Sequence, residues 1–351
     1  MSISVSYPGV YIDEDTTPAI SISTRPTAIP IIPVFGWGYS VVKFNNYLEF
    51  VQYVRGLGKE LDSNGFWNVR AYFECGGGAC YVTEHDSLIG SVPKYDDITL
   101  IVACGKTDIT SSSVRDLCAP GTGRFAVLDG PSDEITDGTA AKDYDAISGA
   151  AVYYPGLSVN WTTNTIAASA VVAGLYCAVD RTRGVWKAPA NVALPSNYKP
   201  IYKVSDDLQG QYNREKAINM IRTLDNRGPV VWGARTLEDS DDWRYVPVRR
   251  LFDSAERDIK TSMQAMVFEP NNQPTWERVR GAIANYLYSL WRSGALLGST
   301  ETEAYFVKIG EGITMTPEDV AQGRLIISVG MAAVRPAEFI VLNFTQSVGQ
   351  G

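Results

Sequence analysis

Histidine is almost absent from this chain: His85 is the only one among 351 residues. A hydrolytic triad needs a base between nucleophile and carboxylate, normally histidine, and no G-x-S-x-G elbow surrounds any serine. Beside Glu84 and Asp86, at the end of an expected strand, His85 reads as a solvated surface residue rather than a base. A basic excess is missing too. The net charge is −8, which argues against a general nucleic-acid binder, because such a protein needs a basic face for phosphates. No run of about 18 apolar residues occurs, so no membrane insertion is expected. The most apolar stretch, 167–179, is short and rich in alanine. No basic region followed by an apolar core opens the chain, so no secretory leader is expected, and a particle leaving the cell would need another exit, such as lysis.

Cysteine is scarce and odd in number. Cys75, Cys80, Cys104, Cys118 and Cys177 fit no disulfide framework and are expected as reduced, buried thiols of a cytoplasmically made protein. Cys75 and Cys80 flank GGGA, but a zinc site wants about four Cys or His ligands in tight pairs, and only His85 is near. The glycines are better explained by a tight turn, and no phosphate-loop pattern follows them. The acidic clusters Asp13–Asp15, Asp96-Asp97 and Glu238–Asp242 lack the spacing of a Ca²⁺ loop or a glycosidase pair. The last stands beside Arg244, Arg249 and Arg250, where ion pairing is the simpler use. No catalytic, cofactor or metal site is expected.

What is present is a packed globular pattern, with 45% hydrophobic and 20% charged residues. Residues 28–37, AIPIIPVFGW, predict a short strand that its prolines place at a sheet edge. Tyr47, Leu48, Val51 and Val54 predict a helix capped by Asn45 or Asn46, and FWNVRAYFE a second over 63–74. The doubly apolar runs 98–104, 124–128 and 150–154 predict strands covered on both faces, with helices between them at 111–118 and 139–148. Further helices are predicted over 209–225, with Tyr212, Ile218, Ile221 and Leu224 on one face, over 249–266, and over 275–293. Thr316-Pro317-Glu318-Asp319 starts a short helix that Gly323 ends. In 324–334, Leu325, Ile327, Val329, Met331 and Ala333 point one way along a strand.

Both chain ends read as strands without local mates. At one end Ser2, Ser4 and Ser6 alternate with Ile3, Val5 and Tyr7 before Pro8-Gly9 breaks the pattern. At the other, Glu338, Phe339, Ile340, Val341, Leu342, Asn343, Phe344, Thr345 and Gln346 form a last strand after Pro336.

YPGVYIDE (7–14) resembles the opening of contractile tail sheath proteins. AAVYYPGLSV (150–159), VAGLYCAVDRTRGVWKAPAN (172–191) and GPVVWGARTL (228–237) resemble the central signatures of that family. FEPNNQPTWERVRGAIANYLYSLWRSGALLG (268–298) and GRLIISVGMAAVRPAEFIVLNFTQ (323–346) resemble its C-terminal ones. The likeness is weakest over 85–145, where family members vary and face outward. A Pro-Pro-Ser-Gly type turn is replaced here by Ala167-Ala168-Ser169-Ala170.

The resemblance implies a mixed α/β fold, a two-part α/β core with extended N- and C-terminal β-strand arms. The expected parts are an arm over 1–20, an N-terminal and middle domain over 21–200, a tube-facing C-terminal domain over 201–336, and an arm over 337–351. It implies a structural subunit, not an enzyme, that polymerises as a homo-oligomer in stacked helical rings around an inner tube protein. Baseplate and terminator proteins are the other expected partners, and no nucleic acid is bound directly. Such a particle is made in the bacterial cytoplasm and released by lysis, and the short chain fits a compact injection-particle or bacteriocin sheath.

The resemblance further implies that Ser2–Tyr7 and Glu338–Gln346 complete a sheet in a neighbour, with hinges near Thr16–Arg25 and Val334–Ala337. Contraction would be driven by surface buried between subunits rather than by a nucleotide. Arg278, Arg280, Arg292, Glu318, Asp319 and Arg324 are candidates for touching tube or neighbour, against ordinary exposure. Trp186, Trp232 and Arg235 are expected as packing residues. The alternatives are a hydrolase-like enzyme of subtilisin topology, which lacks a triad, and another tail or baseplate structural protein.

Overall fold

The computed structural model of the chain describes residues 21–38, 41–63, 65–105 and 111–339. The strands expected at Ser2–Tyr7 and Ile340–Gln346 lie outside them. The first part comprises β1 (Pro30–Val34), β2 (Val42–Phe44), α1 (Tyr47–Gly56), α2 (Phe66–Glu74), β3 (Cys80–Glu84) and α3 (Leu88–Ser91). It continues with β4 (Leu100–Val102), α4 (Ser111–Leu117), β5 (Phe125–Asp129), β6 (Ala150–Tyr154), β7 (Leu157–Val159), β8 (Thr162–Ile166) and α5 (Ala168–Arg183). Then come β9 (Val192–Ala193), β10 (Lys199–Pro200), α6 (Asp206–Gln211), β11 (Ile218–Leu224) and β12 (Gly228–Val231). The last part comprises α7 (Val246–Met263), α8 (Gln273–Arg292), α9 (Glu301–Ala304), β13 (Tyr305–Lys308), α10 (Pro317–Ala321) and β14 (Ser328–Met331).

Nine strands form one mixed sheet in the order β2-β3-β1-β4-β5-β6-β11-β12-β9. Its middle, from β3 to β11, is parallel, and antiparallel strands flank it on both sides. The doubly apolar runs explain this, since a parallel sheet is covered on both faces. Along β6, Ala151 and Tyr153 face the cluster built on α5, while Ala150, Val152 and Tyr154 face the opposite cluster. Leu175 and Tyr176 of α5 are buried on the first face, and each fully buried residue of this size contributes roughly 1.5–3 kcal/mol. The division expected at residue 200 passes through this sheet, because β11 and β12 follow it in the chain.

Four local expectations need correction. Residues 209–225 are not one helix: α6 ends at Gln211, and β11 runs parallel to β6, pairing Ile218 with Val152. A short apolar run has no period that separates buried helix from buried strand, and here the edge of β6 offers a ladder. β1 lies inside the sheet rather than at its edge. Its prolines are tolerated because Pro30 opens the strand and Pro33 lies beyond Ile31, the last residue paired with β4. Only a single 3₁₀ turn, Ala140–Asp143, occupies the helix expected at 139–148. In α1 the buried residues are Phe50 and Val54, and Leu48 is exposed, so the inward face is rotated from the expected one.

The C-terminal body follows the sequence pattern closely. Trp276, Val279, Ile283, Leu287 and Leu290 of α8 share one cluster with Leu251 and Ala255 of α7. Asn272 caps α8 by accepting from the Thr275 N–H, and Thr316 with Asp319 forms the capping box of α10. Leu325, Ile327, Val329, Met331 and Ala333 all face this cluster.

One contact sets how closely the helices approach. A Cβ placed on Gly174 of α5 would stand 2.3 Å from the carbonyl oxygen of Tyr72 in α2. Replacing an exposed helical glycine by alanine stabilises by about 1 kcal/mol. Gly174→Ala is instead expected to destabilise by about 1–3 kcal/mol, the cost of overpacking. A urea midpoint equal to or above the parent's would show that the crossing has room to spare.

Candidate functional site

At the C-terminal ends of the parallel strands, where open α/β sheets bind ligands, a cavity of about 660 Å³ is lined in part by Asp129 and Ala168. Next to it, Asp129 meets Ser169, the second residue of α5. The Ser169 hydroxyl donates to Asp129 Oδ2 at 2.7 Å, and the Ser169 N–H donates to Oδ1 at 2.7 Å. The Gly105 N–H adds a third bond to Oδ2, and the Cys104 N–H donates to the Ser169 hydroxyl. Burial pushes the Asp129 carboxyl above its usual range, partly offset by these bonds. Ser169 is fully buried, and no histidine stands between it and Asp129. The pair therefore acts as a clasp between β5 and α5, in the stretch where the family turn is replaced.

His85 is not the solvated residue its neighbours suggested. Its ring stacks on Phe35 at 3.9 Å, its Nδ1 lies 3.0 Å from Asp86, and it is buried. All five cysteines are free and buried, and desolvation raises every thiol, Cys75 to about 12. Among the described residues no group of three or more His, Cys, Asp or Glu could hold a metal ion.

The charges that matter lie elsewhere. Arg235, expected only as a packing residue, grips Glu338 across a separation of 103 residues. Its Nη2 donates to Glu338 Oε2 at 2.6 Å, its Nε reaches both carboxylate oxygens, and its Nη1 donates to the Asn213 carbonyl. The Arg235 backbone is fixed on both sides by Asn219, whose Oδ1 accepts the Arg235 N–H and whose Nδ2 donates to its carbonyl. The Val334 N–H donates to the Ala295 carbonyl. The stretch expected to hinge at Val334–Ala337 is thus tied to its own chain at both ends, and Glu338, expected in the arm, is bound within its own chain.

Of the arginines expected to neutralise Glu238–Asp242, only Arg244 does so, with Asp239 and Asp241. Arg249 and Arg250 sit inside α7, whose winding points them at Asp253 and Asp180. Burial, acting against Arg249, pushes Asp253 up to about 6.

β13 and β14 make a two-stranded antiparallel sheet. Tyr305, Val307, Val329 and Met331 face the α7–α8 cluster. Among the described residues no second strand pairs along Tyr305–Lys308 or Ser328–Met331, but just past β14 the chain is bridged at Ala333 to Leu296, so the β14 side is covered at that end. The strand Tyr305–Lys308 escaped the sequence reading, although its apolar residues are of the type that favours strands.

The polar candidates around this body are largely engaged within the chain. Arg278 pairs with Glu269, Arg280 with Glu277 and the Ile309 carbonyl, and Arg324 with the capping residue Asp319. Arg292 and Glu318 are exposed.

Fold and sites together describe buried polar pairs that tie elements of one chain to each other, beside a small two-stranded sheet. Residues 238–347 match the phage tail sheath C-terminal domain. The chain is 52% identical to the PVC sheath of an extracellular contractile injection system in its contracted state, covering 99% of both chains with a TM-score of 0.90. It is 40% identical to the anti-feeding prophage helical sheath in its contracted state, over 98% of this chain and 100% of that one, with a TM-score of 0.81. The tail sheath protein of Enterobacteria phage T4 is 26% identical over 179 residues, which span 50% of this chain and only 26% of that longer protein. A sheath tail protein from Listeria innocua, 11% identical with a TM-score of 0.60 over 90% of this chain and 96% of that one, shares the fold. The chain belongs to the contractile sheath protein family, a structural family without enzymatic activity.

Two outcomes follow for the buried charges. Glu338→Ala leaves the Arg235 guanidinium without its carboxylate and is expected to cost about 3 kcal/mol in urea unfolding. It should also speed tryptic cleavage at Arg335. A variant with parental stability and cleavage would show that the clasp holds nothing.

For Asp253, the folded pKa lies above the ordinary value of 3.8. Its contribution is therefore favourable below about pH 4 and is lost as pH rises through about 6. Asp253→Asn should flatten the part of the stability profile that falls between those values. A difference profile against the parent with no slope there would remove Asp253 as its source.

Proposed function

We propose that the chain is the subunit of a contractile sheath that polymerises helically around an inner tube and drives it through a target envelope as it contracts. The observation that carries this is the small β13–β14 sheet, which has no further strand along Tyr305–Lys308 or Ser328–Met331 among the described residues, in a chain whose two ends read as strands without local mates. Strand addition supplies affinity through main-chain bonds and asks little of side chains, which suits the Ser-rich Ser2–Tyr7. In this reading Ser2–Tyr7 and Phe339–Gln346 of two neighbours complete the sheet of a third subunit, and Glu338 is the last fixed point before the C-terminal arm departs. A head-to-tail contact of this kind does not close on itself and builds an open helix.

The relatives support the assembly, being described as a helical sheath and a sheath complex, both in contracted states, and one similar chain comes from a baseplate. The partners proposed are other copies of this chain, an inner tube protein, and baseplate and terminator proteins, in an extracellular phage-tail-like particle. The energy is surface buried between rigid bodies on contraction, held back kinetically in the extended state. Arg292 and Glu318, exposed on the C-terminal body, are the members of the candidate set best placed to touch tube or neighbour.

Deleting residues 1–12 tests the arms. The expected product is a folded subunit with parental circular dichroism and thermal midpoint that forms no long striated tubules in negative-stain electron microscopy. Tubules of parental length and order from that deletion would end the arm reading.

A further inference from the structure

A groove of about 940 Å³ opens beside the last described residues, between the end of α5, the β12 region and the segment 334–339. In a chain of net charge −8 its lining is basic. Of the acids there, Asp206 is paired with Arg222 and Glu338 with Arg235. Arg183, Lys187 and Arg335 also line it, and none of them has a carboxylate partner among the described residues. Lys187 spends a hydrogen bond on the Ala188 carbonyl. Burial and then the nearby Arg183 charge lower its pKa, as expected of cations gathered without a counter-charge. Trp186 and Trp232 supply flat apolar walls.

The occupant can be read from the chain outside the structure. Residues 340–351 carry no charged side chain. Residues 1–20 carry Asp13, Glu14 and Asp15 and no lysine or arginine, with Tyr7, Pro8 and Tyr11 just before them. Ile22, near the start of the described chain, packs on the apolar cluster of the C-terminal body, against which the lining residue Trp186 also packs. Asp15 precedes Ser21 by six residues, an extended reach of about 20 Å. We propose that the acidic stretch Asp13–Asp15 seats in this groove of its own subunit, against Arg183, Lys187 and Arg335. This rests on the reading of residues 1–20 as an arm. It adds a seat that fixes the direction in which the arm leaves for the neighbour, and it places the seat beside Glu338, where the other arm departs.

Cleavage after Glu14 by a glutamyl endopeptidase reads the seat directly in the full-length subunit. In the parent the site should be protected at low salt and cut faster as salt rises. In Arg183→Glu/Lys187→Glu/Arg335→Glu cleavage should rise on the order of tenfold, since it follows the population of the open form. Adding Asp13→Lys/Asp15→Lys to that variant should restore protection, which a merely unfolded protein cannot show. Equal cleavage in parent and groove variant, or no rescue by the charge swap, would overturn the proposal. So would protection that returns only when the groove variant is mixed with the Asp13→Lys/Asp15→Lys chain, because the groove of another copy would then be the seat. The deletion of residues 1–12 keeps Glu14, so its tubule phenotype and the Glu14 protection fail independently.

Discussion

A buried ion pair orients the C-terminal body against the sheet and its helices. Arg250, in the first turns of α7, donates to both carboxylate oxygens of Asp180 near the end of α5, at 2.6 and 3.1 Å. The Thr27 hydroxyl donates to the same carboxylate, the Thr27 carbonyl accepts from Arg250, and the guanidinium lies 4.5 Å from the centre of the Tyr176 ring. Burial works against the Arg250 charge, but Asp180 more than offsets it and raises its pKa. A well-packed apolar pair would be as stable as such an ion pair. What the charges add is direction: they join the lead into β1, the long helix under the sheet and the first helix of the C-terminal body in one orientation.

The other polar networks serve the same end. Asn219 pins Arg235, Arg235 holds Glu338, and Ser169 and Asp129 tie α5 to β5. Each uses chemistry found in enzymes, a carboxylate at a strand end or a hydroxyl at a helix start, but satisfies it internally. Unused strand edge remains along β13 and β14 among the described residues, and cations without a carboxylate partner gather in the groove. Both features invite chain rather than small molecules, and the groove is lined by the last described residues.

Much of this was legible in the residues. The α8 stripe from Trp276 to Leu290, the capping box of Thr316 and Asp319, and the inward set from Leu325 to Ala333 all stand where their spacing put them. Those features are local, since spacing along one element decides which side chains share a face. The solitary His85 and the oddly spaced cysteines likewise pointed away from catalysis, although His85 proved buried because Phe35 covers its ring.

By itself, then, the sequence determined which segments of the C-terminal body are amphipathic and where its helices start. The tertiary structure alone decided that INMIRTL (218–224) is a strand, that a proline-bearing strand sits inside the sheet, and that Arg235 belongs to Glu338 and Arg250 to Asp180. The reason is physical. A short apolar run is nearly as well buried in a helix as in a strand until a neighbouring ladder offers its hydrogen bonds. A charge chooses its partner by where packing delivers it, and those partners here lie up to 103 residues away.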